Sequence, residues 1–354
     1  MRRTVAIAVT LLLGGSLAGC GKHPGSYTAT TGSDKSGTDV SALIAAADSN
    51  WEKRVDEANL KVALDSYAAA AAADPKNRHA LSQLTRGWYF WGDTFATDKD
   101  VKIERWAKSI EYGTQCIGLN AKIAAAIEGG AKEKDAASHA IEADVPCLFW
   151  TATSLGKWAK IQGIARALKW LGTVKAYVGK AEELDPDYYH FGPDRYWGAY
   201  YAVLPSFAGQ DLDKSAEKFE TSIAGAPYYL PTRVLRAEIL AVGLQDVAMF
   251  DADLLHVMNA DPDANPEAAV TPENIKDQEK AREIFALRAE LFDRKTLEAA
   301  GPAPVAPEPM ADKPMADKPM PEEPVPEEDM EEADESTGHG ATRPDPEPAV
   351  EEEG

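Results

Sequence analysis

Aromatic side chains, concentrated in two short segments, are the residues of this chain best suited to bind a ligand. Residues 87–93, Gly-Trp-Tyr-Phe-Trp-Gly-Asp, carry four consecutive rings, which on a helix point in all directions. Residues 187–198 repeat this density, and Phe149, Trp150 and Trp158 add further rings. Most of these rings must pack between helices, but one helix face cannot bury them all. The remainder are expected to line a groove or a subunit contact.

The motifs of common catalytic and metal sites are missing from the sequence. It contains no His-Glu-x-x-His, no Cys-x-x-Cys, no Gly-x-Ser-x-Gly and no phosphate-binding loop. The six histidines are scattered without the spacing of metal ligands: His23, His79, His139, His190, His256 and His339. The sequence therefore predicts neither an enzyme nor a metal or cofactor site.

The first 20 residues have the pattern of a lipoprotein leader. Met1-Arg2-Arg3 precedes an apolar run from Thr4 to Gly15, and Leu17-Ala18-Gly19 leads directly to Cys20. This order predicts a signal peptide over residues 1–19 and resembles the bacterial lipobox, whose Cys is acylated. A membrane span needs about 20 apolar residues, which this run does not supply. Gly21 after the lipidated Cys20 favours the periplasmic face of the outer membrane of a Gram-negative bacterium.

Cys116 and Cys147 are the remaining cysteines. Two outcomes are open for them. They can pair in an oxidising periplasm, or they can remain free thiols, because both lie within apolar helical patterns and a free Cys is commonly buried.

Composition divides the chain into four parts. After the signal peptide, Cys20 and a Gly/Ser/Thr/Lys stretch form a predicted tether through residue 40, and a helical domain follows over residues 41–297. Residues 298–354 are predicted to be a disordered, acidic, Pro-rich tail, because from Ala299 onward 17 acidic residues face only 3 basic ones. The net charge of -21 and the lack of a basic stripe argue against a nucleic-acid partner.

The central region is predicted to be all-α because its apolar residues recur at helical spacing. One example is the series Leu60, Leu64, Tyr67 and Ala71, which is followed by Pro75. A proline at that point ends the preceding helix and suits the first turn of the next. The pattern therefore predicts helix-turn-helix units.

Counting back from four prolines exposes a degenerate repeat. Small and large residues alternate at positions 12, 8 and 5 before each proline, and a fifth copy ends at Leu119-Asn120 without one. The fifteen positions are Ala63, Tyr67 and Ala70; Ser109, Gly113 and Cys116; Val174, Val178 and Ala181; Ser215, Phe219 and Ser222; and Phe250, Leu254 and Val257. This spacing resembles the second helix of a tetratricopeptide repeat, and so predicts an α-solenoid.

The spacing between copies is irregular. The prolines at 75, 186, 227 and 262 are separated by 111, 41 and 35 residues, whereas the repeat period is about 34. The first interval must contain an additional unit and an insertion, which the Gly/Lys/Ala-rich residues 128–140 are expected to form.

Several segments, in order, resemble the TatT family, the T-component lipoproteins associated with tripartite ATP-independent periplasmic (TRAP) transporters. The likeness covers about residues 40–297. The segments that carry it are Trp51–Arg54 with Ala73-Asp74-Pro75, Gly87–Asp93, Asp144–Trp150 with Gly156-Lys157-Trp158, Leu184–Arg195 with Leu204-Pro205, and Pro227–Glu238.

This resemblance implies a tetratricopeptide-like lipoprotein that forms a homotrimer with a central pore. Each protomer would offer a cleft to a periplasmic solute-binding protein, and the ligands would be small apolar molecules or organic acids. By position, the resemblance places seven residues at the cleft or pore: Trp88, Trp91, Trp150, Lys157, Arg195, Tyr196 and Arg233. An Arg such as Arg195 beside stacked rings could hold a carboxylate. For each, a buried ring or a structural ion pair is the alternative.

Two other functions compete with this interpretation. A tetratricopeptide scaffold for outer-membrane protein insertion or pilus biogenesis would share the anchor and the repeats but would need no pore. A cell-wall hydrolase is a third possibility, which no motif supports.

Overall fold

A computed structural model of the protein describes residues 22–27, 39–266 and 269–308. The predicted signal peptide, Cys20 and nearly all of the predicted tail lie outside these residues. Regular structure within the described residues is entirely helical, which confirms the predicted fold class. The α-helices are α1 (Val40–Trp51), α2 (Glu57–Ala73), α3 (Arg78–Thr94), α4 (Lys99–Gly118), α5 (Ala121–Glu128), α6 (Glu133–Ala136), α7 (Val145–Ile161), α8 (Ile164–Leu184), α9 (Tyr188–Val203), α10 (Leu212–Gly225), α11 (Pro231–Arg236), α12 (Val242–Leu244), α13 (Val247–Asn259), α14 (Thr271–Ala286), α15 (Arg288–Leu291) and α16 (Arg294–Ala300).

The helices pack as consecutive pairs. α1 packs on α2, α3 on α4, α7 on α8 and α9 on α10. The fifth pair joins α13 to a helix that runs from α11 to α12 through a π-helical turn at Ala237–Ala241. The first helices of successive pairs also contact one another, because α7 touches both α3 and α9, and α11 touches α9. α14 then packs on α11 and α13, which completes the predicted array.

Local sequence signals explain where these helices begin and end. Eight helices start with an Asp or Asn whose side chain accepts a hydrogen bond from a backbone N–H of the first turn, and such caps stabilise by about 1 kcal/mol. These caps are Asp39, Asp56, Asn77, Asp98, Asn120, Asp211, Asp246 and Asp293. Asp74, Asp185 and Ala226, each directly before a proline, leave the helical conformation and end α2, α8 and α10.

The repeat read from the sequence forms the contact between paired helices. All fifteen of its positions are buried, and they lie on α2, α4, α8, α10 and α13, the second helix of each pair. The copy without a proline is therefore a true unit. The four prolines lie in the turns rather than in the first turn of the following helix. Other prolines take that place, namely Pro146, Pro231 and Pro272.

The predicted insertion separates the second pair from the third. It is longer than residues 128–140, because α5, α6 and two 3₁₀ turns occupy the chain from Ala121 to Asp144. A disulfide joins Cys116 of α4 to Cys147 of α7 across this insertion. The two cysteines therefore pair and are not free thiols.

Residues 22–27 lie against the body although composition places them in the tether. His23 and Tyr27 are both buried, and Nε2 of His23 lies 2.8 Å from Oε1 of Glu133. The hydroxyl groups of Tyr27 and Tyr177 are 2.6 Å apart. The packing of these two aromatic side chains thus fixes residues 22–27, although the Gly and Ser content of the predicted tether suggested a flexible chain. The rest of the tether, residues 28–38, lies outside the described residues.

At the other end, α16 continues to Ala300, three residues into the predicted tail. Its Asp293 cap and its Ala and Leu content favour the helix. Among the described helices, none has the length and apolar character needed to cross a bilayer.

Candidate functional site

Charged and aromatic side chains come together where α3, α7 and α9 face α14. We call this group the inner cluster. It consists of Arg86, Tyr89 and Asp93 from α3, Trp150 and Lys157 from α7, Tyr189, Arg195 and Tyr196 from α9, and Glu273, Asp277 and Lys280 from α14. On α3 and on α14 the cluster residues follow helical spacing, so each set shares one face.

Glu273 is the centre of a buried ion-pair network. Its Oε1 accepts hydrogen bonds from Nη2 of Arg86 at 2.8 Å and from the hydroxyl of Tyr189 at 3.0 Å. Arg54 donates to the same carboxylate from Nε at 3.1 Å and from Nη2 at 2.5 Å. Burial alone would raise the pKa of Glu273, but the Arg54 and Arg86 guanidinium groups outweigh it and lower the pKa to about 2. The carboxylate therefore stays ionised in the protein.

A left-handed turn opens α9 beside this network. Tyr189, His190 and Phe191 have φ values of 49°, 58° and 54°, a conformation that costs about 1–2 kcal/mol for each residue that is not glycine. Arg195 holds the turn, because its Nη1 and Nη2 donate to the carbonyl oxygens of His190 and Tyr189 at 3.0 and 3.2 Å. Strained backbone of this kind concentrates at functional sites.

Positive charge exceeds negative charge in this part of the cluster. Arg195 is 8% exposed, and its guanidinium carbon lies 4.4 Å from the centre of the Tyr229 ring. No carboxylate of the described residues forms an ion pair with it. Burial, together with Arg195 and Arg86, lowers the pKa of His190 to about 4, so this imidazole is neutral at pH 7. Arg54 and Arg86 thus share the carboxylate of Glu273, and Arg195 adds a third guanidinium group that has no carboxylate of its own among the described residues.

The other part of the cluster is rich in acids. Lys157 forms an ion pair with Asp93, and Nζ of Lys280 lies 2.6 Å from Oε2 of Glu238. Glu238 lies in the π-helical turn, a feature that often marks functional sites. Burial is the main reason that the pKa of Asp277 is raised to about 7; Lys280 opposes the shift, and Asp93 and Glu238 add to it. A proton on Asp277 is therefore gained or lost near neutral pH.

The structure brings four of the seven predicted site residues together. Trp150 is 5% exposed, and its ring centre lies 4.7 Å from that of Tyr189 and 5.3 Å from that of Tyr89. Lys157 contacts Asp93, and Arg195 supports the left-handed turn. Tyr196 is half-buried near Gly156 of α7, where an added Cβ would lie 2.9 Å from the tyrosine hydroxyl.

The other three predicted residues lie elsewhere. Trp88 and Trp91 contact each other with ring centres 5.0 Å apart. They lie on the side of α3 opposite Arg86 and Asp93, as helical geometry requires for their positions. Trp91 donates from Nε1 to Glu57 at 2.5 Å. Arg233 pairs with the buried Asp253 at 3.0 Å, the structural ion pair considered as its alternative. Cys20, the predicted lipidation site, lies outside the described residues.

Sequence reasoning missed Arg86 and all of the α14 residues. Arg86, Tyr89 and Asp93 have the spacing i, i+3 and i+7, and a search for polar residues on one face of the aromatic helix would have found them. Glu273, Asp277 and Lys280 have the same one-face spacing. Within the described residues no group of three His, Cys, Asp or Glu side chains has the arrangement of a metal site.

Comparison with known protein families agrees with this architecture. Residues 53–292, more than half of the chain, match the family model described as TRAP transporter T-component. The matched range begins next to Arg54 and ends after α15, so it includes every residue of the inner cluster. A search of the curated proteins gives no match to this chain. The chain therefore belongs to the TRAP transporter T-component family.

Proposed function

We propose that this T-component is a lipid-anchored periplasmic lipoprotein of the outer membrane that assists solute import. In this proposal it forms a pore-containing homotrimer, docks a periplasmic solute-binding protein and holds a small organic ligand at the inner cluster. Membership of the family supports the transporter role, and the Leu17-Ala18-Gly19-Cys20 motif supports the anchor.

The observation that carries the ligand proposal is the surplus of positive charge among aromatic rings. A buried charge without a counter-ion is costly. Arg195 donates to two backbone carbonyl oxygens and lies over the rings of Tyr189 and Tyr229, at 5.8 and 4.4 Å, but it forms no ion pair with a carboxylate of the described residues. A ligand carboxylate would supply the missing charge, and an apolar or aromatic body would pack on the rings. Small organic acids with an apolar body fit both properties.

An affinity difference between a carboxylate and its neutral analogue tests the ligand class. We expect phenylacetate to change the tryptophan fluorescence of the purified protein at concentrations where phenylacetamide does not, because only the acid carries a charge for Arg195. Arg195→Gln should weaken phenylacetate binding about tenfold or more, since hydrogen bonds to charged groups contribute about 1.5–3 kcal/mol.

Arg166→Gln is the matched control, because Arg166 also lies over an aromatic ring, that of Trp158, but is exposed on α8. Equal binding of acid and amide, or equal losses in the two variants, would overturn the ligand class. The assembly is tested separately, by isolating the tagged protein from envelopes in mild detergent for native mass spectrometry. A trimer carrying a solute-binding protein is expected, and a monomer carrying envelope-assembly subunits would contradict it.

A further inference from the structure

A second surface, which shares no residue with the inner cluster, surrounds the N-terminal segment. Residues 22–27 lie in a groove whose walls are the insertion helices α5 and α6 and the first half of α8. The groove has a volume of about 1410 Å³. We call it the N-terminal groove.

The N-terminal groove is basic although the chain as a whole is acidic. Six basic side chains line it, against the two acids Glu128 and Glu133, in a protein of net charge -21. One of the two acids, Glu133, is already paired with His23. The basic residues are Lys22, Lys76, Arg78, Lys132, Lys134 and Lys169.

Two of the basic side chains form ion pairs: Arg78 donates to the fully buried Asp144 at 2.6 Å, and Nζ of Lys134 lies 2.6 Å from Oδ1 of Asp135. The Lys134 pair is exposed and such pairs contribute little to stability, so Lys134 can exchange Asp135 for another anion. Lys76, Lys132 and Lys134 are exposed to solvent. Between the lysines the wall of the groove is apolar, built from Ala121, Ala124 and Ile127. Lysine side chains beside a short apolar wall suit a ligand that has a phosphate group next to a hydrocarbon chain.

The position of the groove in the chain points to the same partner. Lys22 is two residues from Cys20, and two residues span at most about 7 Å. A lipid on Cys20 would therefore enter the bilayer next to the groove. A single lipid chain binds weakly, and stable membrane attachment commonly adds a basic patch to the lipid.

We propose that the N-terminal groove binds the headgroups of anionic phospholipids and holds the body of the protein against the membrane surface. The surface acts together with the lipid on Cys20, so this inference rests on the anchor that is part of the proposed function. Docking of residues 22–27 then fixes which face of the helical array meets the bilayer.

Binding to vesicles without the lipid anchor tests this proposal. The protein to use is the mature chain, residues 20–354 with Cys20→Ser, and the probe is vesicles with 30% phosphatidylglycerol in phosphatidylethanolamine, compared with vesicles of a neutral phosphatidylcholine. We expect cosedimentation with the anionic vesicles only, weakening as salt is raised. The triple variant Lys76→Glu, Lys132→Glu and Lys134→Glu should bind about 100-fold more weakly, because each lysine near an anionic surface contributes about a fivefold factor.

A second triple variant, Lys61→Glu, Lys99→Glu and Lys295→Glu, has the same net charge and is the matched control. Lys99 begins α4, a helix of 20 residues whose far end, Gly118, lines the groove, so the two ends are about 30 Å apart. Equal loss in both triple variants, or no preference of the unmutated chain for anionic vesicles, would overturn the proposal. Neither result depends on a solute-binding protein, so the transporter role can fail or stand independently.

Discussion

At the scale of single residues, two carboxyl groups one turn apart on α14 show how the local environment decides charge. Glu273 has a pKa lowered to about 2 because two guanidinium groups outweigh its burial. Asp277 has a pKa raised to about 7, because burial and neighbouring acids outweigh one lysine. The first is a fixed anion, and the second changes charge in the pH range of the bacterial envelope.

Asp277 should make the folded state less stable as pH rises. Its folded pKa of about 7 lies above the ordinary value of 3.8. The folded state therefore retains a proton that the unfolded chain has lost, and stability falls between about pH 4 and pH 7. Asp277→Asn removes this penalty, so we expect the variant to be more stable than the unmutated protein at pH 8 by about 1–2 kcal/mol. The two proteins should be similar at pH 4.5, as urea unfolding at both pH values would show.

Asp65→Asn serves as the control for this measurement. Asp65 forms an exposed pair with Lys61, with a side chain 67% accessible, and such pairs contribute little to stability. Its effect should be small and similar at the two pH values. An Asp277→Asn protein less stable than the unmutated one at pH 8 would contradict the assignment of Asp277 as a destabilising buried carboxyl.

At the scale of secondary structure, small residues set the distance between helices. Gly113 lies on α4 where it meets α7, and a Cβ at this position would lie 1.9 Å from Oγ1 of Thr151 and 2.9 Å from Cγ2 of Thr85. Gly113 is also the central position of the repeat copy that lacks a proline. The repeat pattern predicted its burial, and the structure adds the reason for glycine.

Gly113→Ala should therefore destabilise the protein although alanine favours helices. Overpacking typically costs about 1–3 kcal/mol, which exceeds the gain of about 0.5–1 kcal/mol from replacing a helical glycine. Gly243→Ala is the matched control, because Gly243 lies in α12 with no atom within 4 Å of an added Cβ. We expect thermal unfolding to show a loss for the first variant and a gain for the second. Greater stability of both variants would contradict this expectation, because α4 and α7 would then accommodate the added methyl group without loss of stability.

At the scale of the whole molecule, the disulfide ties the second helix pair to the third. The bond between Cys116 and Cys147 closes a loop over 31 positions that contains the whole insertion. By the loop-entropy relation, closing a loop of that length stabilises the folded state by about 3–4 kcal/mol. Without the bond, the insertion would be held by side-chain packing and by hydrogen bonds such as those that Asp144 accepts from Asn120 and Arg78, both at 2.6 Å.

Reduction of this disulfide should lower the unfolding midpoint of the protein. We expect the same lowering in Cys116→Ser/Cys147→Ser, and no further effect of dithiothreitol on that double variant. Both measurements are made on chains that also carry Cys20→Ser, so that no other thiol contributes. An unfolding midpoint that dithiothreitol leaves unchanged in the protein with both cysteines would show that the bond adds no stability.

The sequence by itself determined the helical fold and its repeat. These features are local: a helix cap, a helix end before a proline and each copy of the repeat all lie within about one helix length. They can therefore be recognised in short stretches of sequence. The family resemblance also followed from segments in order, and the family match confirms it. Four of the seven predicted site residues lie in or next to those segments and meet in the inner cluster, and their ligand- or pore-lining role stays a prediction.

Only the tertiary structure decided which side chains meet across the array. Arg54 and Glu273 are 219 positions apart, and no local pattern states that α14 folds back onto α3 and α9. The left-handed turn at Tyr189–Phe191 depends on Arg195 and on the surrounding rings, because the conformation is unfavourable for each residue alone. Helical geometry puts Trp88 and Trp91 on the side of α3 opposite Arg86 and Asp93, but only the packing of α3 decides which side meets the cluster. Long-range packing thus selects the inner cluster from a set of residues that local sequence can only propose.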